Sequence, residues 1–379
     1  MDTKRTQLLT VFGIIVSMTI NLKAVSEEQI REALAIPKVF KLEGGKIADA
    51  LDVRKIKNAL DVCFPKIEQV EFSCCVMREK FVKNLMQTLK KHPLQQFSLK
   101  YSAVSLSGFK TMFRMLKKHD LICIHLQGVG LNTSGAKYFS NLLQEEKHLQ
   151  QLDLQHVEMT LEGLEAVANG LAENNTLEIL NLRDCIAMEG KSTEKLKEVF
   201  SKLLDNKEDL SEINLAGFGM GDDCASELVN ILTENCNSIT KINLARNKIG
   251  DEGLAKIADM LPLFPLLKEV KLERNNIGPK GAKALAEVLG RCSSIEKISL
   301  YENPLGNEGA TAIAEALTRT SLQELVLGAN GTDGKGMAEV CKLLRTTKIM
   351  HLWIDYASST FPCMEELARE IPVIVWGHK

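Results

Sequence analysis

Strong compositional bias is missing from this chain. Over 379 residues the formal net charge is −2, with 45% hydrophobic and 25% charged residues. That balance is ordinary for a folded protein and gives no sign of disorder or of a polyanion-binding surface. Tyrosine and tryptophan are scarce, at four and two. The ten cysteines include no Cys-x-x-Cys and no paired Cys/His spacing, which excludes a zinc site of the usual kind. Several sit at repeat positions that face inward (Cys123, Cys185, Cys224), so they read as reduced, buried, small apolar side chains.

Catalytic signatures are missing too. No Gly-x-Ser-x-Gly, His-Glu-x-x-His or dinucleotide fingerprint occurs. Gly190-Lys191-Ser192 ends like a phosphate-binding loop, but Cys185 stands where its first glycine is required, and Gly334-Lys335-Gly336 fails likewise. His125 and His156 fall at outward positions of neighbouring repeats, where solvated or interface histidines outweigh a metal pair. The sequence therefore predicts no enzyme, no cofactor and no metal. The longest early apolar run, Leu8–Ile20, spans 13 residues behind Lys4 and Arg5. It is too short to cross a membrane, and its length suits a signal-peptide core. The cleavage context is poor, because Leu22-Lys23-Ala24 lacks a small residue three places before the cut.

What the chain does contain is a repeat. Ile239–Arg246 leads to Asn247, then Ile249, Gly253, Leu254, Ile257, Ala258 and Leu261. The same residue types return 28 positions later, through Leu267, Val270, Leu272, Asn275, Ile277, Gly281, Ala282, Leu285 and Leu289. A third copy runs from Ile295 to Leu317. A period of this size settles the architecture before any other question. Positions 4 and 6 of each copy alternate, so a short strand points both inward. Asn at position 9 lies where the chain turns, and its amide can satisfy backbone groups there. The apolar run after the glycine has helical spacing, and Ala258, Ala286 and Ala314 would let each helix lie close to the strand layer. One strand and one helix cannot bury their faces alone, so the copies must stack.

These residues resemble the leucine-rich repeat family, in its long, ribonuclease-inhibitor-like subtype. Asn247, Asn275, Asn303 and Asn330 match that family's ladder asparagine, and Gly-Ala-Lys-Ala-Leu-Ala-Glu-Val-Leu (281–289) is most like the C-terminal repeats of NOD-like receptors. The resemblance implies an α/β leucine-rich repeat solenoid, a horseshoe with a parallel sheet on its concave face and helices on its convex face. Taking the middle strand residue as marker gives Val70, Phe97, Ile124, Leu152, Leu180, Ile213, Ile242, Val270, Ile298, Leu325 and Leu352, or about 11 repeats. Spacings are 27 to 29 except for one of 33, which predicts a longer loop near Met188–Glu194. Four segments are expected: residues 1–22, signal-like or a packed helix; 23–62, a helical N-terminal cap with a degenerate strand at Val39–Leu42; 63–362, the array; and 363–379, a C-terminal cap with an extended closing segment. The array lacks the cysteine-rich flanks of extracellular leucine-rich repeats, so a cytoplasmic protein is expected. Secretion is the alternative if residues 1–22 are a signal peptide.

An array of this kind offers a surface. Outward positions 5, 7 and 8 would line the concave face. Arg246, Lys271, Glu273, Arg274, Tyr301, Glu302, Trp353 and Tyr356 form the main candidate site, since Trp, Tyr and Arg dominate binding hot spots. Lys100, Tyr101, His125, Asp153, His156 and Arg183, with Asp184, form a second. The expected function is a non-catalytic module that recognises a protein partner, with no nucleic acid and no small-molecule cofactor. Resemblance to NOD-like receptors implies sensing or autoinhibition in innate immunity. The alternatives are a GTPase activator resembling the Ran activating protein, against which stands the lack of an acidic C-terminal stretch, and a nuclease inhibitor. The latter would favour an acidic concave face, and Lys100, Arg246, Lys271 and Arg274 argue against it.

Overall fold

The structure is a computed structural model that describes residues 39–43, 67–185, 193–345, 347–355 and 373–377. The chain divides into two compact units, Met1–Leu180 and Asn181–Lys379.

In the first unit, strands β1 (Val39–Glu43), β2 (Gln69–Ser73), β4 (Gln96–Lys100), β6 (Cys123–Gln127) and β7 (Gln151–Asp153) pair in that order, all parallel. Two-residue strands β3 (Val76–Met77) and β5 (Ala103–Val104) form a separate parallel pair. Helices Glu79–Leu89, Leu106–Leu116, Thr133–Leu143 and Leu161–Gly170 alternate with the main strands. Strand β8 (Ile179–Asn181) straddles the division.

In the second unit, β9 (Glu212–Asn214), β10 (Lys241–Asn243), β11 (Glu269–Lys271), β12 (Lys297–Ser299), β13 (Glu324–Val326), β14 (His351–Asp355) and β15 (Val373–Gly377) follow one another, again all parallel. Six helices, from Thr193–Leu204 to Gly334–Leu344, alternate with them.

Each of the eleven marker residues sits inside a strand, and β1 and β15 lie beyond the first and last of them. The inward pairs are buried wherever both members are described: Phe97 and Leu99, Leu152 and Leu154, Ile242 and Leu244, Val270 and Leu272, Ile298 and Leu300 are all at most 2% exposed. Burying each such side chain contributes roughly 2 kcal/mol, and the interlocked rows make neighbouring copies interdependent.

The ladder asparagines do what their position requires. Asn275 Oδ1 accepts from Ile249 N–H at 3.1 Å, while its Nδ2 donates to the carbonyls of Leu244 and Leu272 at 3.0 Å each. Asn303 repeats this with Ile277 N–H, Leu272 and Leu300. A second device links helix starts. Asp251, opening one helix, accepts from Gly278 N–H at 2.7 Å and Gly281 N–H at 2.8 Å, the start of the next helix. Its carboxylate thus meets the unpaired donors and the positive end of its neighbour.

The small helix residues act differently from the expectation. Ala258 and Ala314 are buried, but Ala286 is only half-buried. The tight contact is made one turn earlier, where Ala282 faces Gly309 of the following helix and a Cβ on that glycine would lie 3.0 Å away. In that copy, small residues bring adjacent helices together, more than helix to sheet.

A third row lies where each helix hands over to the next strand. His92 Nδ1 accepts from Ile67 N–H at 3.2 Å. Glu146 Oε2 accepts from Leu121 N–H at 2.8 Å. Asn174 Nδ2 donates to Leu149 O at 3.0 Å. In each case the partner lies 25 residues earlier in the chain. In the second unit Lys207, fully buried, donates to Asp205 O at 2.8 Å. None of these charged or polar side chains was foreseen as core.

Candidate functional site

The strand face turned away from the helices carries positions 3, 5 and 7. In the second unit position 3 reads Glu212, Lys241, Glu269, Lys297, Glu324 and His351 on successive strands, alternating in sign up to the histidine. Lys241 reaches Glu212 at 2.6 Å, and Lys297 bridges Glu324 at 2.7 Å and Glu269 at 3.5 Å. Burial alone would lower the Lys297 ammonium, but its hydrogen bond and charge pairing with Glu324, joined by Glu269, raise it. This row is internally compensated.

Position 5 changes character along the same face. It runs Asn214, Asn243, Lys271, Ser299, Val326 and Trp353, each the register partner of the next. Ser299 is buried at 2%, whereas Trp353 is exposed at 39%. Lys271 pairs with Glu269 at 3.3 Å. Beside this row, Arg274 forms a two-point fork on Glu302, Nε to Oε2 at 2.7 Å and Nη2 to Oε1 at 3.1 Å. The Glu302 hydrogen bond pushes the guanidinium still higher. The fork is half-exposed and contributes little to folding, as surface pairs do. It is, however, a bidentate polar element of the kind that binding surfaces use. Glu273 Oε2 is buried with no hydrogen-bond partner among the described residues. Tyr301 is half-buried, and Tyr356 lies outside the described residues.

Arg246 is drawn elsewhere. Its Nη1 contacts Asp184 Oδ2 at 3.3 Å, and Arg183 Nε contacts the same oxygen at 3.2 Å. Arg183 and Asp184, assigned from sequence to the N-terminal cluster, therefore belong to the second unit with Arg246. The loop near Met188 and the Gly190-Lys191-Ser192 segment lie outside the described residues.

In the first unit Lys100 pairs with Glu71 at 3.0 Å, and Lys41 approaches it at 3.6 Å. Burial raises the Glu71 carboxyl, but the two lysines outweigh it and hold it low. His125 is the register partner of Ser98 and Asp153. Burial lowers its imidazole, against the opposing pull of Asp153, so it is held toward the neutral form. Tyr101 is 56% exposed, and its hydroxyl accepts from Gln127 Nε2 at 3.1 Å.

Position 8 holds a feature that pattern reading missed. Cys74, Tyr101, His156, Asp184, Arg246, Arg274, Glu302 and Ala329 all have φ between 46° and 57°, and Gly128 and Gly217 share the left-handed region. A left-handed non-glycine residue costs roughly 1 kcal/mol. It is held there by a backbone ladder: Arg246 N–H donates to Glu273 O at 2.7 Å, Arg274 N–H to Tyr301 O at 2.8 Å, and Glu302 N–H to Gly328 O at 2.9 Å. The glycines at 128 and 217, in register with bulky residues, were the available signal.

Among the described residues no group of His, Cys, Asp and Glu could hold a metal, and no helix is long and apolar enough to cross a membrane. The Leucine Rich repeat family matches residues 146–168, 235–258 and 265–286. With these three matched stretches, the stacked strand–helix copies fit an α/β solenoid of the leucine-rich repeat kind. No curated protein matches it. Among solved structures, an internalin from Listeria monocytogenes is 14% identical, covers 93% of this chain and 94% of that one, and has a TM-score of 0.44. Actin-binding site 2 of leiomodin-1 is 18% identical, covers 41% of this chain and 89% of that one, and has a TM-score of 0.33.

Proposed function

We propose that the chain is a non-catalytic binding module whose outward strand face in the second unit recognises another protein. One observation carries this reading. Strands β11 to β14 place exposed Trp353 beside Val326 on the face that also bears Lys271, while the position-3 row of that face, from Glu212 to Glu324, is self-paired charge. An exposed indole in register with an apolar neighbour is a hot-spot pattern, and the Arg274–Glu302 fork supplies oriented hydrogen bonding near Tyr301. Leucine-rich repeats in general serve as protein-binding scaffolds, which agrees with this reading. The resemblance of residues 281–289 to NOD-like receptor repeats extends it to ligand sensing in innate immunity, with the protein in the cytoplasm.

The test is affinity purification from cells with the native chain and with a variant carrying Arg274→Ala, Tyr301→Ala and Trp353→Ala, with circular dichroism as the folding control. A partner lost only from the folded variant supports the site. A partner retained by the variant moves the site to the strand face of the first unit, around Lys100, Tyr101, His125, Asp153 and His156. Stimulated GTP hydrolysis by Ran, or tight inhibition of a nuclease, would replace the reading altogether.

A further inference from the structure

The net charge of −2 conceals a strong segregation. Between residues 78 and 118 ten lysines and arginines stand against one acidic residue, Glu79. The structure gathers most of them on one side of two adjacent helices of the first unit. Lys80 and Lys83 on helix Glu79–Leu89 are exposed, as are Lys90 and Lys91 at its end. Lys110, Arg114 and Lys118 recur every four residues along and just past helix Leu106–Leu116, opposite its buried Phe109, Met112, Phe113 and Leu116. Lys117 pairs with Glu145 at 3.4 Å, and Lys110 lies 5.7 Å from the Tyr138 ring centre. The other exposed cations named here have no ion pair among the described residues.

Such a stripe does nothing for folding, because like charges one helical turn apart repel. It is suited to an extended anionic surface. The cations are mostly lysines, compact point charges that suit diffuse attraction better than bidentate phosphate recognition. The two helices expose no aromatic ring on which unstacked bases could rest, which disfavours single-stranded nucleic acid. Two apolar side chains border the face: Val76, 44% exposed, and Leu106, 42% exposed at the first position of its helix. Each Lys or Arg near an anionic lipid surface gains roughly 1 kcal/mol, so a cluster of this size is of the kind that associates with one.

We propose that the lysine-rich outer face of helices Glu79–Leu89 and Leu106–Leu116 docks on an anionic membrane surface. The experiment is co-sedimentation of the full chain with phosphatidylcholine vesicles, with and without phosphatidylserine, at low and high salt. One variant carries Lys83→Gln, Lys110→Gln, Arg114→Gln and Lys118→Gln; a second carries Lys80→Gln, Lys90→Gln and Lys91→Gln. A charge-matched control carries Lys256→Gln, Lys280→Gln, Lys335→Gln and Lys342→Gln in the second unit. All are exposed positions, and glutamine keeps helix propensity at those inside helices. Each neutralised charge at the docking face should weaken binding about fivefold, so the first variant should lose at least about a hundredfold and the control much less. Binding should need phosphatidylserine and fall with salt. Absence of vesicle binding, or equal losses in variants and control, would each overturn the proposal, as would capture of single-stranded RNA in a parallel filter-binding assay by a chain that does not bind vesicles.

Discussion

Glu146 tests whether the handover row between helix and strand has been read correctly. Its residue exposure is 2%, one carboxylate oxygen accepts the Leu121 N–H, and the other has no partner among the described residues. Burial pushes its pKa from an ordinary 4.5 up to about 7; the Leu121 hydrogen bond and His148 oppose the rise, and Asp120 and Glu145 add to it. A raised carboxylate pKa means that the folded protein holds a proton which the unfolded chain has released. Stability from this group is therefore complete below about 4.5, declines as pH rises toward 7, and levels off above that. At about 1.4 kcal/mol per pH unit, the interval amounts to roughly 3 kcal/mol. Glu146→Gln removes the titration while keeping shape and the Leu121 acceptor. Denaturant unfolding should show the variant and the native chain alike near about pH 5, and the variant more stable by about 2–3 kcal/mol near about pH 8. Amide exchange at Leu121 should slow in the variant over the same range. A stability difference that does not change with pH, or a variant weaker at the higher pH, would refute the assignment of a proton to Glu146.

Three further outcomes follow from the hydrogen-bond ladders. Asn275→Ala strands Ile249 N–H and two carbonyls in the core and should cost about 3 kcal/mol by denaturant unfolding, whereas Asn330→Ala should cost less, because the Nδ2 of Asn330 has no partner among the described residues. Asp251→Ala removes the acceptor shared by Gly278 and Gly281 and should cost about 1–2 kcal/mol, with Asp251→Asn recovering most of it. Gly217→Ala places a Cβ against the Asp184 carboxylate at a backbone with φ +75° and should lower the melting temperature, while Arg274→Ala should shift stability by less than about 1 kcal/mol.

Much of the fold was legible because its determinants are local and periodic. The strand centres from Val70 to Leu352 follow from two inward apolar residues per copy, and Asn247, Asn275 and Asn303 announce turns that only an amide of that length can satisfy. The handover row was not legible. His92, Glu146 and Lys207 look like surface residues in a hydropathy pattern, and only the neighbouring copy supplies the backbone group that lets two of them be buried. The site was partly legible: the outward alternation placed Lys271 and Trp353 on one face, but side-chain direction drew Arg246 and Arg183 together on Asp184. Charge segregation escaped because a whole-chain average cannot register a run that later acidic repeats cancel.

The left-handed row at position 8 separates what a repeat needs from what it displays. Its conformation is fixed by main-chain groups of the adjacent copy, so the occupant can be a thiol, phenol, imidazole, carboxylate, guanidinium, methyl or hydrogen without altering the path of the chain. Each described copy thereby contributes one letter, exchangeable wherever the neighbouring letter leaves room for a side chain, as the Asp184 carboxylate does not at Gly217. A lineage or a designer could rewrite the surface letter by letter, changing what the protein recognises while the scaffold underneath stays the same.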